Sequence, residues 1–203
     1  IPPKLVLLTF LLYLVALNSS SVLMLLFAHI PSLSARLALQ IAIFAAVSGL
    51  IFIPLFFGQS LSALFRTIGL HVENKRKIFS EAFLGPLAYI SFWPALILFL
   101  GVYSALLKAL GKNVAEGSHP IVPVVLAGNN DPSVYILLMF LAVIVAPVLE
   151  EIMFRGVLYS WLRSYFGRAI SIVTCGFVFA VIHPQGMLGI LPLTLIGSGL
   201  AFL

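Results

Sequence analysis

Glu150 and Glu151 stand side by side within an apolar run, after Tyr135-Ile-Leu-Leu-Met-Phe-Leu-Ala-Val-Ile-Val-Ala-Pro-Val-Leu149 and before Ile152-Met-Phe-Arg155. The other four acids of the chain, Glu73, Glu81, Glu116 and Asp131, lie in or beside polar connections. An ionised carboxylate inside a bilayer costs several kcal/mol unless it is paired or hydrated, so an intramembrane pair calls for a functional reason. On a helix, Glu151 and Arg155 are i and i+4 and share a face in the favourable acid-before-base order. Arginine keeps its charge and so holds Glu151 ionised and in place. Glu150 points about 100° away, and its i+3 and i+4 positions are Met153 and Phe154. Glu151 therefore reads as an anchor and Glu150 as the reagent. The next apolar segment supplies His183, the one histidine within an expected span. A carboxylate and an imidazole at one depth can activate a water for hydrolysis, with or without a metal, or serve proton or ion transport.

The elements that must position these groups are membrane helices. Apolar residues make up 62% of the 203 positions and charged residues only 8%, and mean hydropathy is +1.20. A soluble domain carries about 25% charge, so a water-wetted surface is excluded. With about 20 apolar residues needed per crossing, the segments expected to span are 5–28, 35–57, 82–107, 133–161 and 169–186, with a sixth beginning near 188. Asn18-Ser-Ser-Ser21 interrupts the first and can bond to its own backbone or to a neighbouring helix. Pro54, Pro94 and Pro147 fall inside spans, where proline kinks a helix and frees a carbonyl. The short connection at 162–168 predicts a hairpin that brings His183 to within one helical turn of the depth of Glu150. Pro184-Gln-Gly186 is expected to break the helix just beyond it.

The net charge of +5 is spread among connections and does not form a nucleic-acid-binding face. Lys4, Arg66, Lys75, Arg76, Lys77, Arg163 and Arg168 fall on one side by parity, which puts the N-terminus and the second and fourth connections in the cytoplasm. The third connection, 108–132, is long and carries no recognisable chemistry; His71 and His119 read as loop residues. Cys175 is the single cysteine and reads as packing. The start Ile1-Pro-Pro-Lys4 has no methionine, and the last residues lie inside an apolar segment, so the expectation is that the protein continues at both ends.

Glu150-Glu-Ile-Met-Phe-Arg155 followed by Gly156 resembles the EExxxR motif, and Phe179-Ala-Val-Ile-His183 resembles the FxxxH motif, of the CPBP, or abortive-infection, intramembrane endopeptidases that process prenylated CAAX proteins and bacteriocins. The resemblance covers 133–203, and the earlier helices carry no motif. It implies that Glu150 and His183 activate the attacking water, that Glu151 and Arg155 shape the site, and that the site opens to the cytoplasm. Both a divalent metal such as zinc and a metal-free glutamate mechanism have been argued for the family. Glu150 and His183 are the candidate ligands, fewer than a usual zinc site provides. A further family motif, a second histidine followed four residues later by asparagine, has no counterpart after His183.

The resulting expectation is an all-α, polytopic transmembrane bundle of about six spans. Residues 1–132 form N-terminal helices and loops, and 133–203 a catalytic membrane core. The expected activity is peptide-bond hydrolysis at the cytoplasmic face of a bacterial or organellar inner membrane, with Glu150, Glu151, Arg155 and His183 as site residues. The substrate would be a peptide or membrane protein, with lipid and other membrane proteins as the remaining partners. An inactive scaffold subunit of the same fold is the alternative. A proton-coupled transporter would need an inverted repeat, and the sequence shows none.

Overall fold

The computed structural model describes residues 1–27, 29–70, 75–112 and 132–202, and the expectations placed on His71, Glu73 and the 113–131 part of the third connection lie outside them. The described residues form helices and turns, with no strand. In chain order these are α1 (Pro3–Leu26), α2 (Leu33–Ser48), α3 (Leu61–Thr67), α4 (Lys75–Ala109), the composite helix α5 (Pro132–Arg163), α6 (Arg168–Val181) and α7 (Gly186–Phe202). A 3-10 turn, Gly49–Phe52, leads from α2 into a last helical turn, Ile53–Phe56. Large apolar side chains are exposed all along the helices, among them Leu25 at 72%, Phe56 at 88%, Leu98 at 70% and Met187 at 83%. That much apolar surface is satisfied by lipid and not by water. The protein is an integral membrane protein built as a helical bundle.

Three stretches are long and apolar enough to cross a bilayer: Leu33–Phe56, Ile90–Ala109 and Pro132–Arg163. Helix α6 is shorter than the span expected over 169–186. The 14 residues of α6 rise only about 21 Å, because the Pro184-to-Gly186 turn ends the helix early. Within α1, Asn18 donates to the carbonyl of Leu14 at 2.8 Å, so its amide is satisfied by the helix itself.

The chain divides into two compact units. The first contains α1, α2, α3 and α5. Its core is built on a single stripe of α1, where Val6, Thr9, Phe10 and Tyr13 are all at most 5% exposed. That i, i+3, i+4, i+7 spacing is one helical face. The sequence of α1 is apolar all round, so its inward face is set by packing and not by pattern. Helix α3 was not anticipated. Ser60 caps it, accepting from the Ala63 N–H at 3.1 Å, and it buries Leu64 to 2% exposure.

The second unit contains α4, α6 and α7. Here α6 and α7 meet backbone to backbone. A Cβ placed on Gly197 would lie 2.9 Å from Cα of Gly176 and 3.1 Å from the ring of Phe179. Small residues at such a crossing let two membrane helices approach closely. Pro192 lies inside α7 and has no N–H to give the carbonyl of Leu188, four residues back. Tyr103 of α4 supplies the missing donor, its hydroxyl reaching that oxygen at 2.9 Å. At the far end Arg168 donates to the Phe202 carbonyl at 3.2 Å and covers the Phe202 ring at 5.0 Å.

Candidate functional site

Helix α5 widens twice into π-helical turns, at Leu141–Val145 and at Glu151–Leu158. The first has a local cause. The ring of Pro147 clashes with a carbonyl four residues back and offers it no hydrogen. The turn before it loosens instead, so that the Ala146 N–H reaches the carbonyl of Leu141, five residues back. Glu150 ends the short α-helical stretch between the two widenings, and Glu151 opens the second. Single π turns concentrate where a helix must aim particular side chains.

The second widening buries Met153, Phe154, Gly156, Val157 and Leu158. Gly156 is required by contact: a Cβ there would lie 2.9 Å from Cβ of Ile68 and 3.2 Å from its carbonyl oxygen. One turn on, Ser160 donates to the carbonyl of Thr67 at 2.7 Å. The turn after α3 thus clamps the motif helix at two points. Neither clamp was visible in the sequence, although a glycine directly after Arg155 was a signal of close approach.

The expected pairing of Glu151 with Arg155 is present, Nε to Oε1 at 3.5 Å. The two ends differ in surroundings: the Arg155 side chain is 12% exposed and that of Glu151 46%. The guanidinium also lies 5.9 Å from the centre of the Phe154 ring. Phe154 in turn meets Phe10 of α1 edge to face, 5.6 Å between centres. Glu150 is half-buried on the same helix. The carboxylates and the arginine therefore belong to one unit and to one helix, which packs on α1 through Phe154.

His183 belongs to the second unit. It was expected inside a span but sits in the turn between α6 and α7, two residues past the end of α6. Proline at 184 disfavours helical backbone in the residue before it, and Gly186 takes a φ of +64° that other residues resist. The ring is nevertheless held firmly. Its Nδ1 lies 2.6 Å from the carbonyl oxygen of Phe179, and its plane tilts against the Phe179 ring with centres 4.0 Å apart. A carbonyl only accepts, so Nδ1 carries the hydrogen. In the neutral ring Nε2 is then the basic nitrogen. The FxxxH spacing has a direct physical meaning: i−4 on the helix supplies both the acceptor and the stacking face.

Among the described residues, no three His, Cys, Asp or Glu side chains come together as a metal-binding group. Structural and catalytic zinc sites use three or four protein ligands. Glu150 and His183 alone are fewer than that, and no step below is routed through a metal.

Residues 132–203 match the family model described as Rce1-like, type II CAAX prenyl endopeptidase. The match takes in α5, α6 and α7 and therefore both motifs. No curated protein and no solved structure matches the chain.

Proposed function

We propose, because residues 132–203 match the Rce1-like type II CAAX prenyl endopeptidase family model, that the protein is an intramembrane endopeptidase in which Glu150 and His183 activate water. The observation that carries this reading is that one family match spans Glu150, Glu151, Arg155 and His183 together. The carboxylate of Glu150 takes a proton from the water as its oxygen attacks the substrate carbonyl. The resemblance assigns His183 the second role on that water, through Nε2, the nitrogen that does not face the Phe179 carbonyl. Glu150 then returns the proton to the departing amine as the peptide bond breaks. Arg155 and Glu151 keep the helix face in register and add a fixed positive charge beside the developing oxyanion.

The substrate is a peptide segment brought to the site from within the membrane. The exposed Arg163 and Arg168 flank the turn between α5 and α6, and they favour the cytoplasmic side for that end of the site. The test is cleavage of a quenched-fluorescent farnesylated peptide by the protein in lipid nanodiscs. Glu150→Gln removes the base with little change in shape and should abolish turnover while leaving protein yield intact. Cleavage by Glu150→Gln at the unmodified rate, or no cleavage by the unmodified protein, would sink the reading.

A further inference from the structure

Two pairs of residues fix how α1 lies on the motif helix. Val6 and Val157 line the same small cavity. Phe10 stacks edge to face on Phe154. From the first pair to the second the α1 number rises by four and the α5 number falls by three, so the helices run antiparallel. Tyr13 continues the stripe of Val6 and Phe10 on α1, and Glu150 continues that of Val157 and Phe154 on α5, which brings the two level.

Tyr13 is an unusual residue to find there. It is 1% exposed and ranks among the largest fully buried side chains of the chain. Its ring rests on Phe10, 6.4 Å between centres. A phenylalanine would fill that volume without carrying a hydroxyl into an apolar interior, where an unsatisfied hydroxyl is costly. Buried tyrosines normally spend their hydroxyl on a partner. By the same register, the ionisable group level with it on the neighbouring helix is Glu150.

We propose that Tyr13 is a positioning residue for Glu150: its hydroxyl donates to the carboxylate, directly or across one water, and fixes which oxygen faces the attacking water. The proposal rests on the proteolytic reading for its catalytic consequence, but not for the contact itself. It extends the working site into α1, a helix outside the family match.

Tyr13→Phe keeps the ring and removes only the donor. In nanodiscs, kcat on the farnesylated peptide should fall about tenfold, the effect of losing one hydrogen bond to a charged group, with KM within twofold and the melting temperature unchanged. The carboxyl infrared band that disappears in Glu150→Gln should shift in Tyr13→Phe, a response that a purely space-filling ring would not give. An unmoved band with unaltered kcat overturns the proposal. A shifted band in a protein whose Glu150→Gln variant still cleaves would leave the contact standing and remove the proteolytic reading. If Tyr13→Phe lowers yield, the band is read on whatever folded protein remains, with Tyr13→Leu as the packing control.

Discussion

The carbonyl oxygen of Phe179 and Nδ1 of His183 are 2.6 Å apart, and the two rings lie tilted against each other with centres 4.0 Å apart. This one contact sets the tautomer of the imidazole, anchors a residue that lies outside regular helix, and directs Nε2 away from the α6 backbone. Phe179 is itself held against Gly197 of α7, so the histidine inherits its position from the crossing of two helices.

His183→Asn tests that arrangement. The asparagine amide can still donate to the Phe179 carbonyl but has no basic nitrogen. Turnover should fall by at least about a hundredfold, the scale of a lost general base, while yield and melting temperature stay close to those of the unmodified protein. Parallel rate and thermal-unfolding measurements on the purified variant check both halves.

The Glu151–Arg155 pair should behave as a coupled anchor. Removing either partner leaves a charge in apolar surroundings, and the partial exposure of Glu151 moderates the cost. Arg155→Met and Glu151→Gln should each destabilise, whereas the double variant should lose less than the sum. A coupling of about 1 kcal/mol, read from a double-mutant cycle in thermal or denaturant unfolding, is the expected size. Strict additivity would show that the two side chains act separately.

Tyr103 and Pro192 should be coupled as well. Tyr103→Phe leaves the Leu188 carbonyl without its donor and should cost about 1–2 kcal/mol. In a Pro192→Ala background the helix supplies its own N–H to that carbonyl, and the same Tyr103→Phe change should cost much less. Unfolding midpoints of the four proteins decide it; an equal cost in both backgrounds would contradict the assignment.

The helical class was legible in the dominance of apolar residues, and Glu150, Glu151, Arg155 and His183 stood out as candidates because charged and titratable groups are rare inside apolar sequence. The Glu151–Arg155 pairing followed directly from helix geometry, and the helix break at Pro184 followed from backbone chemistry. The inward face of α1 was not legible, since a helix apolar on every side carries no periodic signal. Helix α3 was hidden within what looked like a connection, its only marker the capping Ser60. The clamp of Gly156 and Ser160 on the Ile68 turn joins residues about ninety positions apart, and a single sequence gives no hint of which distant turn a glycine must admit. The early end of α6 was half visible: the breaker residues were identified, but His183 was kept on the wrong side of the break.

The π turn at Leu141–Val145 accommodates one more residue than an ordinary helical turn would hold over the same path. Its effect is rotational: everything beyond it is phased by about 100° relative to a regular helix of the same start. Phe154 meets Phe10 in that phase. The spare residue ahead of Pro147 acts as the timing mark of the helix, and deleting it to straighten the hydrogen bonding would turn Phe154 away from the ring it now meets on α1.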